Sequence, residues 1–239
     1  MYDPIFAALV GKDKLASQPT LSRFINRLTL ETANQLEQMN MDLLDRVYSI
    51  TPPKQIILDV DSTMALAFGK QYGRAYNKHY NSTGFHPLVA FNGETGDLLK
   101  VDNRSGNVYT SRNVVRFITP LLIHYRTNYP DIDCIFRGDS GFATPELFEI
   151  LEVMDASYCI RLKSNPKLQK LSQKFAAEIE NDEHLFKETT IYREFEYQAK
   201  SWTKARRVIV KISKNRGEMI ANSSTFYITN LDYSPKEAV

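Results

Sequence analysis

The amino-acid sequence predicts an α/β protein built on a mixed five-stranded sheet, with flanking helices, a helical N-terminal region and a β-rich C-terminal region. Three observations lead to this class. Residues 1–50 have helical periodicity, residues 51–165 alternate strand-like and helical segments, and residues 166–239 carry short β-type runs after a charged helix. We therefore expect three parts with these bounds.

The first part is expected to hold three helices. Apolar spacing and start signals predict them at Ile5–Val10, from Ser17 through Leu30, and at about Glu31–Tyr48. The second helix carries Arg23 and Arg27 beside its apolar stripe, as in a DNA-binding helix-turn-helix. A plain helical subdomain has the same pattern, so the sequence leaves both interpretations open.

The central part is expected to begin with three strands and then to alternate helices with strands. Periodicity and turn residues predict, in order, strands at Ile56–Thr63, Phe85–Phe91 and Asp97–Val101, a helix at Asn113–Tyr129, a strand at Asp133–Arg137, a helix capped by Thr144 and a strand at Tyr158–Leu162. A hairpin followed by right-handed crossovers places the first and fourth strands side by side.

Two further regions have a distinct composition. Phe68–Tyr80 is rich in tyrosine, glycine and cations, which is typical of a surface loop. The last part predicts a charged helix at Lys167–Asn181 and β-type runs at Thr189–Tyr197, Arg206–Ile212 and Thr225–Ile228.

Composition narrows the class of protein without identifying it. The net charge is +2 and the isoelectric point about 8.4, which is too near neutrality to indicate a nucleic-acid partner. No apolar run approaches the roughly 20 residues of a membrane helix, and the first residues lack a signal-peptide pattern. Cys134 and Cys159 lie in apolar runs and are expected to be buried thiols. These features predict a cytoplasmic protein with no membrane partner.

The first strand combines apolar residues with two carboxylates. Asp59 and Asp61 occupy alternate positions, so their side chains leave the strand on the same face. Like charges on a core strand are costly unless a positive group lies beside them. A divalent metal, a phosphoryl group or a lysine could supply that charge.

A third carboxylate, Asp139, directly follows the fourth strand. If the first and fourth strands are neighbours, Asp139 converges with Asp61 or with Asp59. Two such carboxylates can hold Mg²⁺ or Mn²⁺ through oxygen ligands. Metal ions of this kind support phosphodiester displacement, so the sequence predicts a metal-dependent site at these strand ends.

Several short motifs, taken in order, resemble bacterial insertion-sequence transposases of the DDE class. The segments that carry the resemblance are Leu15–Arg23, Asp59–Thr63, Phe68–Asn77, Gly84–Leu88, Asn103–Asn107, Arg137–Phe142 and Gln198–Arg207. The resemblance implies a ribonuclease-H-like core and double-stranded DNA, both element ends and target, as the partner. It also implies a homodimer in a synaptic complex and an enzyme associated with the bacterial nucleoid.

The resemblance also implies roles for particular residues. Asp61 would be the first catalytic aspartate and Asp139 the second, with both binding Mg²⁺ or Mn²⁺; Asp59 is a reserve for the first role or a supporting carboxylate. The residues implied in DNA contact are Arg104, Lys163, Lys200, Trp202, Arg206 and Arg207. For Trp202, packing in the core is an alternative to stacking on a base, and the cations could equally be solvated surface charges.

One element of the transposase pattern has no match in the sequence. The third acidic residue of that class is a glutamate on a helix after the β-rich insertion, and the chain ends at Val239 with no corresponding motif. We therefore expect a fragment that lacks this glutamate, in which metal binding is weak and strand cleavage impaired.

Two alternatives remain at this stage. Asp59 and Asp61 also fit the Asp-x-Asp-x-Thr motif of haloacid-dehalogenase-type phosphatases, with Asp59 as nucleophile, Asp61 as general acid and Asp139 as a Mg²⁺ ligand. That fold requires a parallel sheet, whereas Phe85–Val101 predicts an antiparallel hairpin. The second alternative is a transposase remnant that binds DNA without cutting it.

Overall fold

The computed structural model describes residues 3–180, 187–221 and 223–239. By its internal contacts the chain divides into two compact units, Met1–Pro52 and Pro53–Val239. The three-part division expected from the sequence stays a prediction. No helix among the described residues is long and apolar enough to cross a membrane.

From residue 3 onward, the first unit forms the three predicted helices, with the second ending at Ile25 and not at Leu30. They are α1 (Pro4–Leu9), α2 (Gln18–Ile25) and α3 (Leu30–Ile50). Thr29 starts α3 because its hydroxyl accepts a hydrogen bond from the backbone N–H of Thr32 at 3.3 Å, and the Thr32 hydroxyl accepts one from the N–H of Thr29. This capping box fixes the start of α3.

The second unit is built on one eight-stranded mixed sheet with the order β6-β5-β1-β7-β8-β11-β10-β9. The strands are β1 (Gln55–Ser62), β5 (Leu88–Asn92), β6 (Leu98–Asp102), β7 (Asp133–Gly138), β8 (Ser157–Leu162), β9 (Thr189–Tyr197), β10 (Arg206–Lys214) and β11 (Ser223–Thr229). Strand β1 is antiparallel to β5 and parallel to β7, which confirms the predicted neighbourhood of the first and fourth core strands. The first five strands in this order form the arrangement expected of a ribonuclease-H-like core.

The β-rich C-terminal part extends this sheet instead of forming a separate layer. Strand β11 pairs antiparallel with β8, and β10 and β9 follow outward. Phe226 and Ile228 of β11 are buried, and Ile209 of β10 belongs to the same hydrophobic cluster as Ile135 of β7. The five predicted core strands are present, and three more continue the same hydrogen-bonded sheet.

A small second sheet accounts for the rest of the strands. It consists of β2 (Ala65–Leu66), β3 (Ala75–Asn77) and β4 (Ser82–Phe85), in the order β2-β4-β3. The predicted strand Phe85–Phe91 is in fact two strands that meet at His86 and Pro87. Proline has no N–H to donate to a ladder, so the chain changes sheets at this point.

The described residues of the second unit form three helices: α4 (Val114–Asn128), α5 (Pro145–Val153) and α6 (Pro166–Ala176). Their apolar faces supply much of the core, since Phe117, Leu122 and Phe148 are almost fully buried. The predicted end of the charged helix, Asn181, lies outside the described residues. The buried residues of β1 are Ile56, Leu58, Val60 and Ser62, which leaves Asp59 and Asp61 on the opposite face.

Candidate active site

Asp61 and Asp139 lie at corresponding points of two adjacent parallel strands. Val60 of β1 is paired with Gly138 of β7, and each aspartate is the residue that follows. Both aspartates are exposed, and both line one cleft with a volume of about 760 Å³. The structure thus brings together the two carboxylates that the sequence placed at the ends of these strands.

Each of the two carboxylates accepts one backbone hydrogen bond from its own segment. Asp61 Oδ1 accepts from the N–H of Ser62 at 2.7 Å, and Asp139 Oδ1 accepts from the N–H of Gly141 at 2.8 Å. Within the described part of the chain, neither carboxylate forms an ion pair with a lysine or arginine. Their negative charge is therefore available to a ligand in the cleft.

Asp59 is placed differently. Its two oxygens accept hydrogen bonds from Arg137, at 2.6 Å from Nη2 and 3.2 Å from Nε. The two residues are directly paired across β1 and β7, and Asp59 is absent from the residues that line the cleft. The hydrogen bond with Asp59 is the main cause that raises the pKa of Arg137. Asp59, the reserve candidate for the first catalytic aspartate, is thus engaged in an ion pair with Arg137.

Thr110 lies between the two acidic segments, and sequence reasoning missed it. Its hydroxyl accepts a hydrogen bond from the hydroxyl of Ser62 at 3.3 Å, next to Asp61. On the other side, a Cβ at Gly141 would come within 2.9 Å of the Thr110 Cγ2 and 3.0 Å of the Asp139 Oδ1. The loop that carries Thr110 therefore packs closely on both segments. Its only signal in the sequence was the preceding Asn103–Asn107 motif.

Arg104 stabilises that loop through hydrogen bonds to backbone carbonyls. It is only 6% exposed, and it donates hydrogen bonds to the carbonyls of His86, Thr110 and Arg112 at 3.0, 3.0 and 2.8 Å. Burial lowers the pKa of this guanidinium. The contacts do not fit the predicted role in binding DNA phosphate, because the side chain is directed at backbone oxygens inside the protein.

The small sheet forms another wall of the cleft and is anchored to the same loop. Asn77 donates to the carbonyl of Gly106 at 2.7 Å and accepts from the N–H groups of His79 and Tyr80. His86 Nδ1 lies 2.8 Å from the carbonyl of Val108, so this nitrogen carries the proton. This wall adds Lys78, His79 and Tyr80 to the cleft, and sequence reasoning had assigned none of them to the site.

The other predicted DNA contacts divide into exposed and buried residues. Lys163 lines the cleft and Lys200 is exposed outside it. Arg206 is buried, where it pairs with Glu152 at 2.7 Å and lies over the rings of Phe148 and Trp202. The burial of Arg206 does not fit a contact with DNA.

Trp202 and Arg207 are also engaged within the protein. Trp202 is buried and packs edge-to-face on Phe148 and Tyr197, with ring centroids 5.5 and 5.4 Å apart. Trp202 is thus packed in the core. Arg207 pairs with Glu194 and donates to the carbonyl of Tyr233 at 2.8 Å, which leaves it little freedom to reach a phosphate.

The donor set at the cleft suits an oxygen-preferring divalent metal ion. Two carboxylates are sufficient for Mg²⁺, which usually keeps several water ligands and takes others from substrate phosphates. Among residues 3–180, 187–221 and 223–239, no group of three histidine, cysteine or acidic side chains is close enough to hold a metal ion. The site therefore offers Asp61 and Asp139 as the protein ligands.

A mixed sheet that presents two carboxylates to one cleft is compatible with the class of metal-dependent enzymes that act on phosphodiesters. Comparison with family models gives a more specific result. The model described as transposase DDE domain group 1 matches residues 1–239, and the chain belongs to this family. A comparison with curated protein sequences found no match.

One solved structure with a similar arrangement is the cryo-EM structure of a piggyBac transposase synaptic complex with hairpin DNA. The alignment covers 76% of this chain and 34% of that chain, with 12% sequence identity and a TM-score of 0.41. The present chain thus spans about a third of the length of the chain that it matches.

Proposed function

We propose that this chain is a DNA transposase of the DDE class, which catalyses metal-dependent phosphodiester hydrolysis and strand transfer at the ends of an insertion sequence. The observation that supports this most directly is the presence of Asp61 and Asp139 on one cleft without a cationic partner among the described residues. Family membership supplies the reaction class.

In this proposal Asp61 and Asp139 hold Mg²⁺ or Mn²⁺. When bound, the metal would neutralise charge on the phosphate and lower the pKa of a coordinated water or hydroxyl. The chain's own contribution is to keep the carboxylates at the ends of two paired strands. Thr110 helps to hold the two acidic segments in place, since it contacts Ser62 on one side and packs on Gly141 on the other.

The partner in this proposal is double-stranded DNA, as element ends and as target. Lys163 lies on the cleft with the carboxylates and would contact a phosphate near the reacting bond. Lys200 is exposed and would contact DNA farther away. Joining two element ends requires two copies of the site, so we propose a homodimer that acts in the cytoplasm at the nucleoid.

The two alternatives differ in their support. The phosphatase interpretation requires an all-parallel sheet and a free Asp59, whereas β5 is antiparallel to β1 and Asp59 is paired with Arg137. Binding of DNA without cleavage has one observation in its favour: the described residues place no third acidic ligand beside Asp61 and Asp139.

The deciding experiment is nicking of supercoiled plasmid DNA by the full 239-residue chain in Mg²⁺ or Mn²⁺, with Asp61→Asn and Asp139→Asn beside the unaltered chain. We expect each substitution to reduce nicking about 100-fold or more. Asp131→Asn is the matched control, because Asp131 is exposed and lies outside the cleft. Binding of Mn²⁺, followed by electron paramagnetic resonance, should weaken in the same two variants only.

Two results would overturn the proposal. Equal nicking by the unaltered chain and both variants would assign the activity to a contaminant or to another site. DNA binding without nicking in either metal would instead favour the non-cleaving alternative.

A further inference from the structure

A loop beside the cleft has an unusual pattern that the proposed reaction does not use. We call residues Phe68–Arg74, which connect β2 to β3, the aromatic loop. From this loop into the next turn, aromatic residues and cations alternate at every second position: Phe68, Lys70, Tyr72, Arg74, Tyr76, Lys78 and Tyr80. We propose that the aromatic loop binds an unpaired stretch of a DNA strand, with bases stacked on Phe68 and Tyr72 and phosphates at Lys70 and Arg74.

The two aromatic side chains of the loop are almost completely exposed. Phe68 is 81% exposed to solvent, and Tyr72 is fully exposed. Neither ring stacks on another aromatic ring among the described residues. A single exposed aromatic residue is ordinary, but two on one short loop offer an apolar surface that a partner would cover.

The charge around these rings identifies the kind of partner. No aspartate or glutamate occurs between Asp61 and Glu94, whereas Lys70, Arg74 and Lys78 all lie in that stretch. None of the three cations forms an ion pair within the described part of the chain. Aromatic faces interleaved with free cations are the features with which proteins bind single-stranded nucleic acid, since bases stack while phosphates are neutralised.

The backbone of the loop presents the rings in a defined conformation. Gly69 and Gly73 adopt φ angles of +75° and +81°, which side-chain-bearing residues rarely adopt. The Gln71 side chain donates to the carbonyl of Phe68 at 3.2 Å, and the N–H of Arg74 lies 3.4 Å from the carbonyl of Gln71. The turn around Tyr72 is thus held by local bonds.

The alternating series leads from solvent to the candidate active site. Tyr76, Lys78 and Tyr80 line the same cleft as Asp61 and Asp139. Tyr80 is anchored there, since its hydroxyl donates to the carbonyl of Ser62 at 3.4 Å. A strand that leaves the cleft along this wall would pass Tyr76 and then meet the aromatic loop. Rings can stack on its bases only where these are unpaired, so we assign the loop to DNA melted next to the reacting bond.

This inference rests on the proposed function, and its test measures binding in place of cleavage. The full-length chain is titrated into fluorescently labelled dT12 and into a blunt 20-base-pair duplex. Loss of one stacked base costs about tenfold in affinity. Tyr72→Ala and Phe68→Ala should therefore each bind dT12 about tenfold more weakly while binding the duplex within about twofold of the unaltered chain.

Two matched variants separate stacking from other effects. Tyr72→Phe keeps the ring and should bind dT12 like the unaltered chain. Tyr233→Ala removes an exposed tyrosine elsewhere and should also leave binding unchanged. Because Phe68, Tyr72 and Tyr233 are all exposed, we expect these variants to fold like the unaltered chain, which circular dichroism checks.

A spectroscopic readout tests the stacking directly. Trp202 is the only tryptophan and is buried, so Tyr72→Trp adds one exposed fluorophore. We expect dT12 to quench its emission, whereas Tyr233→Trp should not respond. The inference is overturned if Tyr72→Ala binds dT12 as tightly as the unaltered chain, or if it loses affinity for dT12 and duplex equally. An unaltered chain that nicks plasmid but passes neither stacking test refutes this inference alone; one that binds no DNA refutes the proposed function too.

Discussion

Arg137 and Asp59 form a two-pronged ion pair across the first and fourth core strands, at 2.6 and 3.2 Å. The pair lies two residues before Asp61 on one strand and two before Asp139 on the other. The ion pair therefore gives Asp59 and Asp61 different environments, although the two aspartates are equivalent in the sequence pattern. One is neutralised by its neighbour, and the other faces a cleft.

The first prediction compares the two aspartates of β1. Asp59→Asn should retain most plasmid nicking and lower the free energy of unfolding by no more than about 1 kcal/mol, because the ion pair with Arg137 is half exposed. Asp61→Asn should remove nicking with little effect on stability. Urea unfolding measures the effect on stability, and the nicking assay measures the effect on activity. If Asp59→Asn loses nicking while Asp61→Asn retains it, the assignment of Asp61 as the first catalytic aspartate is wrong.

The second prediction concerns Arg104. Arg104→Met should lower the free energy of unfolding by roughly 3 kcal/mol, because the carbonyls of His86, Thr110 and Arg112 would lose a buried charged donor. Arg112→Met is the control, since that side chain is exposed and should change stability by less than about 0.5 kcal/mol. An unchanged unfolding midpoint in Arg104→Met, together with weaker DNA binding, would restore Arg104 as a phosphate contact.

The third prediction is a pH dependence that originates at Glu152. Burial alone would raise the pKa of this carboxyl, but hydrogen bonds from Arg206, Lys204 and Tyr158 outweigh it and lower the pKa to about 2. A carboxyl whose pKa is lower in the folded than in the unfolded chain stabilises the fold above pH 4.5. That contribution is lost as the pH falls from 4.5 towards 2.

The variant Glu152→Gln tests this contribution. It should be less stable than the unaltered chain by about 2 kcal/mol at pH 7, and the difference should shrink between pH 4.5 and pH 2. Glu149→Gln, which alters a carboxylate on the same helix that accepts a hydrogen bond from the Thr203 hydroxyl and forms no ion pair among the described residues, is the comparison. A difference that stays constant with pH would show that Glu152 acts through packing and not through its charge.

The fourth prediction concerns Trp202. Its burial against Phe148 and Tyr197 implies that Trp202→Ala lowers the free energy of unfolding by about 3 kcal/mol or more. The intrinsic emission of the unaltered chain should resist quenching by iodide and should not respond to DNA. A clear change in emission on binding DNA would return Trp202 to the interface.

The fifth prediction separates charge from stacking on the aromatic loop. The double variant Lys70→Gln with Arg74→Gln should reduce the dependence of log Kd for dT12 on log salt by about 1.4, since each released phosphate contact contributes about 0.7 on single-stranded DNA. Lys200→Gln should change this slope less, because Lys200 is exposed outside the cleft and away from the aromatic loop in the sequence. An unchanged slope in the double variant would remove Lys70 and Arg74 from the proposed surface.

The central fold was predictable because its strands and helices have clear periods. Asp59 and Asp61 interrupt an otherwise apolar strand, and the crossover rule placed Asp139 beside it, as the pairing of Val60 with Gly138 confirms. The destination of the last three strands was not predictable in the same way. Nothing in the pattern of Ser223–Thr229 indicates that this strand pairs with β8, because a period of two identifies a strand but not its neighbour.

Side-chain partners were the least accessible part of the site. The sequence does not distinguish Arg104, Arg206 and Arg207 from solvated cations. Only the tertiary structure shows that their guanidinium groups already bind carbonyls or carboxylates of the protein. Thr110 was missed because a lone hydroxyl in a polar loop has no distinctive signal. The aromatic loop was visible as a motif, but its exposure and its continuity with the cleft required the fold.

The arrangement of the outermost strand has a consequence for how copies of the protein behave in concentrated solution. Strand β9 ends the described sheet and would offer its free backbone groups to a strand from another molecule. Arg193, Glu194 and Glu196 stand along this strand, so a ninth strand could add only by desolvating charges of both signs. We therefore expect the chain to resist edge-to-edge aggregation.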